Sequence, residues 1–270
     1  MNMHRHLPDS TRLSVLSAVI LLSYALARFI DLPERDLSLQ LPGIFLPIKL
    51  NIQTAVALLV AGLTATGAEW LLRQHPHASG HSILEHWLLP SMTSLVIGLP
   101  LLRLPFGLQW LAGFVIGGTL LMLVLLAEYI SIDPEDLRQP IAAAGLMALS
   151  FALFLMLAIS LRDGGTRLYL TLPALTLAAV LISMRSLHLR LHGRWYFTPA
   201  LVTGLVCAQF AASLHYLPLT PTSFGLAITG PVYAVISFLG SLAVERSLRS
   251  AIGEPLLVLA IFLGTALWIR

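Results

Sequence analysis

The chain has 270 residues, of which 57% are hydrophobic and 11% charged, and a formal net charge of +3. A soluble domain carries about 25% charged residues, so this much apolar surface cannot be hidden in one aqueous core, and the bilayer is the expected solvent. Lys49 is the only lysine, and the basic residues are thinly scattered. That excludes the clustered phosphate-neutralising face that nucleic-acid binding needs. Cys207 stands alone, which excludes an intrachain disulfide or a cysteine-based zinc cluster.

A spanning helix needs about 20 mainly apolar residues. Nine runs meet that length, near 13–30, 52–72, 83–103, 107–130, 138–161, 167–186, 197–217, 223–247 and 254–269. They predict an all-α integral membrane protein, a bundle of about nine transmembrane helices forming one polytopic domain over 1–270. The first run has a second reading. Arg5 and Arg12 precede it and Ala25-Leu26-Ala27 ends it, as in a signal peptide. Retention as an uncleaved signal-anchor is preferred, because the run is long and the chain stays hydrophobic after it. An external flap, 31–51, follows. Within it, "LSLQLPGIFLPIKLN" (37–51) alternates Leu37, Leu39, Leu41 and Ile44, Leu46, Ile48, Leu50 around Pro42-Gly43. A period of two with a central Pro-Gly reads as a short extended or β-hairpin-like segment.

Three runs end alike, in "TATGAEWLLR", "LVLLAEYISI" and "GSLAVERSLR", which places Glu69, Glu128 and Glu245 each about a turn from a helix end. An ionisable group in a membrane helix is a functional candidate, so these three acids are candidates for a shared site. The competing reading is interfacial pairing: Glu69 with Arg73 and Glu245 with Arg249 have i,i+4 spacing. Glu128 has no such partner.

After the second run, "RQHPHASGHSILEH" (73–86) holds His75, His77, His81 and His86. Imidazoles suit zinc or copper, so they are weak metal candidates. Pro76 and Gly80 make the spacing irregular, no H-E-x-x-H is present, and Ser82 with Glu85 has capping-box spacing. An aqueous loop ending in a helix cap is the preferred reading, with no metal. Gly113 and Gly117 form G-x-x-x-G, and Gly204, Ala208 and Ala212 a second small-residue stripe, both suited to close helix packing.

"SIDPEDLRQP" offers Asp133 and Asp136 at D-x-x-D spacing, resembling part of a magnesium-diphosphate site. A cap fits better: Asp133 as N-cap and Pro134 as the first helical residue. Thr198-Pro199 and Glu254-Pro255 mark two later helix starts in the same way. His188 and His192 stand i,i+4 among arginines and predict a basic face at an anionic leaflet. "FGLAITGPVYAV" places Tyr233 beside a Gly230-Pro231 dipeptide that could break a helix, so Pro231 and Tyr233 are candidates for a substrate path. No P-loop, dinucleotide fingerprint or nucleophile elbow occurs, and no histidine lies mid-helix where haem would be ligated. No cofactor is expected.

With the N-terminus inside, Arg5, Arg12, Arg73, Arg138, Arg185, Arg190, Arg194, Arg246 and Arg249 are cytoplasmic. Arg28, Arg35, Lys49, Arg103, Arg162, Arg167 and Arg270 are outside. The bias is small, but "SMRSLHLRLHGRW" and "VERSLRS" are basic, whereas "HYLPLTPTS" has no Lys or Arg, which favours a cytoplasmic N-terminus.

Over "SLHYLPLTPTSFGLAITGPVYAVISFLGSLAVERSLRSAIGEPLLV" the chain resembles an uncharacterised family of bacterial polytopic membrane proteins, mostly from Chloroflexi, filed as a domain of unknown function. The resemblance rests on the LPL-S/T-P turn, the tyrosine of the next helix and the basic stretch near a Glu. It is strongest over the last fifth of the chain, and "VERSLRSAIGEP" is less basic than the family pattern. It implies a multi-spanning protein of the bacterial inner membrane and brings no activity or site residues.

The expected role is non-enzymatic: a partner-binding or assembly subunit of a membrane complex, or a homo-oligomer, motivated by dense small-residue packing without ionisable groups in mid-span. The alternatives are a transporter for an apolar or lipid-like substrate, through Pro231 and Tyr233, and a lipid-modifying enzyme using Glu128, Asp133 and Asp136.

Overall fold

In the computed structural model, the described residues are 9–27, 35–41, 44–50, 52–75, 84–133, 136–191, 195–244 and 248–269. Among them are nine helices: α1 (Ser10–Ala27), α2 (Ile52–Leu72), α3 (Leu84–Arg103), α4 (Leu108–Ser131), α5 (Gln139–Asp163), α6 (Leu168–Arg190), α7 (Phe197–His215), α8 (Pro221–Ala243) and α9 (Leu248–Trp268). By length and composition, eight are apolar enough to cross a membrane. The ninth, α3, has a shorter apolar part, His86–Leu102, bounded by Glu85 and Arg103. Between α1 and α2, strands β1 (Arg35–Leu41) and β2 (Ile44–Leu50) pair antiparallel, with Leu37 opposite Ile48 and Leu39 opposite Leu46.

The chain divides into two compact units, Met1–Ala142 and Ala143–Arg270. In the first, α1 packs on α2, α3 and α4, and α3 lies between α2 and α4. Its core gathers Leu16, Ile20 and Tyr24 of α1, Leu71 and Leu72 of α2, Leu101 and Leu102 of α3, and Leu121 and Leu125 of α4. Small residues set the spacing. A Cβ on Gly117 of α4 would meet Ile97 of α3, and one on Gly98 of α3 would meet the Tyr24 ring. Tyr24 then donates its hydroxyl proton to the Ser94 carbonyl at 2.6 Å, which ties α1 to α3 through a buried polar atom that would otherwise be costly.

In the second unit α6 packs on α7, α7 on α8, and α8 on both α9 and α6. A Cβ on Gly204 of α7 would meet Val180 of α6. Thr220 accepts from the Ser223 amide at 3.3 Å as the N-cap of α8, with Pro221 as its first residue. Arg162 at the end of α5 donates to the carbonyls of His215 and Leu217, at 2.6 and 2.7 Å, fastening α5 to the α7–α8 turn. In both units large apolar side chains also point outward, among them Leu111, Val115, Ile116, Leu201, Leu205, Leu257 and Ile261. Water would penalise such a surface, and acyl chains suit it.

Several expected boundaries are corrected. The helix α8 runs unbroken from Pro221 to Ala243, with Gly230 and Pro231 buried inside it. Gly230 there serves close approach, because a Cβ would lie 2.7 Å from Phe262 Cβ of α9. The helix α9 starts at Leu248, so Pro255 lies within it instead of opening it. Asp133 does not cap α5, which begins six residues later at Gln139. The Ser82 and Glu85 side chains of the expected capping box lie outside the described residues.

Phe262 Cβ is fixed by the α9 backbone and cannot rotate away. Gly230→Ala is therefore expected to lower stability by about 1–3 kcal/mol, read as an earlier midpoint in a denaturing-detergent titration. Gly253→Ala, which would meet nothing within 4 Å, should leave that midpoint unchanged or slightly higher.

Candidate functional site

The last turn of α4 gathers the polar groups of the first unit. Glu128 is 0% exposed, and its Oε2 shares a hydrogen bond of 2.7 Å with Nδ1 of His86, near the start of α3. Ser131, one turn further on, donates to the Glu128 main-chain carbonyl at 2.9 Å and lies 3.4 Å from Oε2. His75, just past α2, is buried with its ring edge-on to Tyr129, centroids 4.9 Å apart. Two of the four histidines of 73–86 thus reach the Glu128–Tyr129 turn.

This cluster holds a serine, a histidine and a carboxylate without the geometry of a nucleophilic relay. In such a relay the carboxylate holds one ring nitrogen and the serine the other. Here Glu128 and Ser131 approach the same nitrogen, Nδ1, at 2.7 and 3.5 Å. The arrangement joins two helices through a shared proton, and Ser131 does not stand in a relay through the His86 ring.

Glu69 pairs along its own helix with Arg73, whose Nε donates to Oε1 at 2.7 Å. Glu69 and Glu128 therefore have separate partners. Glu245, His77 and His81 lie outside the described residues. Among the described residues no group of three or more His, Cys, Asp or Glu is placed to hold a metal ion. Of the D-x-x-D pair, Asp136 is engaged locally: its Oδ1 accepts from the Arg138 amide and Nε at 2.8 and 3.1 Å, and Oδ2 from Nη2 at 2.7 Å. That carboxylate raises the Arg138 guanidinium above its ordinary pKa, chiefly through the hydrogen bond.

The second unit contains a cavity of about 200 Å³ between α5, α6 and α8. Met147, Ala148 and Phe151 of α5 and Ile236 of α8 form its apolar wall; Ser186, Arg190, Tyr233 and Ser237 supply polar groups. Tyr233 donates its hydroxyl proton to Glu254 Oε1 of α9 at 3.0 Å, and its ring meets Phe151 edge-on at 5.0 Å. Ser237 also donates to Glu254 Oε1, at 3.4 Å. Of the expected substrate-path pair, Tyr233 lines the cavity and Pro231 does not.

The expected basic face at the end of α6 is corrected where it is described, His192 lying outside the described residues. Arg185 is 1% exposed and His188 9%, both inside the second unit, and His188 stacks near Trp195 with centroids 5.0 Å apart. Ionisable groups are thus buried among the helices after all. Sequence reasoning missed His86 as the partner of Glu128, and Ser186 and Arg190 as cavity residues. The His86–Glu128 pair spans 42 positions, beyond any helical periodicity. The shared cavity of Ser186 and Tyr233 likewise follows only from tertiary packing.

Removing one member of a buried hydrogen-bonded pair leaves the other unsatisfied. Glu128→Ala is expected to lower stability by about 1–3 kcal/mol. Glu128→Gln, which keeps a hydrogen bond, should cost less, and His86→Phe combined with Glu128→Leu should recover much of the loss. Denaturing-detergent midpoints of the three variants check this; equal loss in all three would show that the pair is not coupled.

No curated protein and no solved structure is significantly similar to the chain. Residues 32–269 match a family described as a protein of unknown function, DUF5656, and because that match covers most of its length, the chain belongs to that family.

Proposed function

We propose that this chain is a non-enzymatic, multi-pass membrane protein that binds a lipid-like amphiphile in the cavity of its second unit, as a carrier or transporter does. The observation that carries the reading is the division of the cavity lining. The lining combines the apolar side chains of Met147, Ala148, Phe151 and Ile236 with the polar groups of Ser186, Arg190, Tyr233 and Ser237. Binding pockets for small molecules have this composition, mostly apolar with a few convergent polar groups.

The assembly-subunit reading draws less support from the structure. The small residues that motivated it are occupied internally: Gly117 against Ile97, Gly204 against Val180. For the lipid-modifying reading, Asp136 is already engaged by Arg138, and Ser131 forms no relay through His86 to Glu128.

The proposal includes a bacterial inner membrane, α3 as a ninth span, and the β1–β2 segment on the outer side. It also places the N-terminus inside, supported by the basic stretches after α6 and α8 set against the uncharged 216–220 turn.

Ala148→Trp would occupy the cavity from an exposed α5 position while leaving its polar residues in the sequence. Lipid carried through purification in a mild detergent, quantified by mass spectrometry, should fall several-fold in this variant. Unchanged lipid content would sink the reading.

A further inference from the structure

Resting on the amphiphile reading, we infer that the headgroup bound in the α5–α6–α8 cavity is a singly charged anion, a carboxylate or phosphodiester, held by Arg190 and Ser186. The argument starts from hydroxyls. Buried Ser and Thr in these helices settle their protons on the carbonyl one turn back: Thr64 on Val60, Thr93 on Leu89, Ser150 on Leu146, Thr203 on Pro199 and Thr229 on Gly225. Ser186 is 1% exposed, lines the cavity, and has no hydrogen-bond partner for its Oγ among the described residues. A buried hydroxyl left this way costs about 1–3 kcal/mol, a penalty that an acceptor in the cavity removes. The Ser17 and Thr176 hydroxyls are also unbonded, but neither residue belongs to this lining.

Arg190 supplies the charge. Its Nη1 makes one long hydrogen bond, 3.4 Å, to the Ser237 carbonyl. Among the described residues no carboxylate lies within 4.0 Å of its guanidinium. The other two polar groups are committed, since Tyr233 and Ser237 both direct their protons to Glu254. The donors left to the cavity are therefore one guanidinium and one hydroxyl, which fits an acceptor-rich anion. A cationic headgroup would meet Arg190, and a neutral alcohol would make no charge-assisted hydrogen bond to it.

Glu254 limits the charge from the other side. Its carboxylate stands directly behind Tyr233 and Ser237 and would repel a dianion more strongly than a monoanion. Size agrees: about 200 Å³, against roughly 30 Å³ for a water molecule in the liquid, takes a compact headgroup and the first part of one chain.

The test uses the full chain in dodecyl maltoside. Affinities come from the concentration dependence of the thermal unfolding midpoint with laurate, dodecanol, dodecylammonium or acetate. Laurate is expected to bind at least tenfold tighter than dodecanol or dodecylammonium, and acetate not measurably. Arg190→Gln should lower laurate affinity tenfold or more and leave dodecanol unchanged; Arg190→Lys should retain most of it. Ser186→Ala, which removes a hydroxyl that makes no hydrogen bond among the described residues, should lower laurate affinity several-fold.

Laurate and dodecanol binding alike, with neither affected by Arg190→Gln or Ser186→Ala, would overturn the anionic headgroup and leave the amphiphile reading standing. Acetate binding as tightly as laurate, with the same Arg190 dependence, would keep the anion chemistry and overturn the amphiphile. If none of the four probes binds, both fall.

Discussion

Helices in an apolar solvent are not pressed together by expelled water, so they stay together only where their backbones come close enough for dispersion and short polar contacts to act. Close approach is the constraint on which the rest of this structure depends. It is made by glycines at defined places: Gly117 beneath Ile97, Gly98 beneath the Tyr24 ring, Gly204 beneath Val180, and Gly230 against the Cβ of Phe262. Each glycine receives a large side chain from the neighbouring helix. The small-residue stripes are thus used inside each unit, and the outward faces are left to Leu, Ile and Val.

Close approach also decides where polar atoms are affordable. The Tyr24 hydroxyl can reach the Ser94 carbonyl because Gly98 lets the ring lie flat on α3. His86 and Glu128 meet near the ends of α3 and α4, where a buried ionisable pair can be held by a single 2.7 Å bond and steadied by Ser131. A buried carboxyl group is tolerable only when hydrogen-bonded. The two helices that share the pair are therefore coupled: moving α3 relative to α4 breaks the bond and leaves both buried polar groups unsatisfied.

How much of this was legible in the sequence depends on the range of the interaction that decides it. Runs of about 20 apolar residues are decided by the solvent, and the expected helices coincide with α1 to α9 to within a few residues at most ends. Local pairings were legible for the same reason, as with Glu69 and Arg73 at i,i+4. The misreadings share another cause. Proline in water commonly ends a helix, but among packed apolar helices the freed backbone groups can be accommodated, so Pro231 and Pro255 sit inside α8 and α9. Arg185 and His188 looked like a solvated basic face because charge normally marks an interface. Nothing local in the sequence indicates that α6 turns them inward. The His86–Glu128 pair and the cavity depend on which helices become neighbours, which composition and periodicity do not encode.

The cavity follows from an exception to the close-packing rule. Toward its C-terminal half, α5 meets α8 through Gly225, where a Cβ would lie 2.7 Å from Ile159 and 3.4 Å from the Leu155 carbonyl. One to three turns earlier no glycine of α6 or α8 receives α5. The side chains there are Met147, Ala148 and Phe151 on one side and Ser186, Arg190, Tyr233 and Ser237 on the other. Arg190 also lies over Gly240, where a Cβ would be 3.0 Å from its Nη1, so α6 and α8 are close at that level while α5 stands off. Walls that were apolar throughout would suit only an apolar occupant. This pocket also carries the Arg190 guanidinium and the unbonded, buried Ser186 hydroxyl, both from α6. The fold leaves space beside a buried hydroxyl without a partner among the described residues, a penalty removed by a ligand or solvent that accepts its proton.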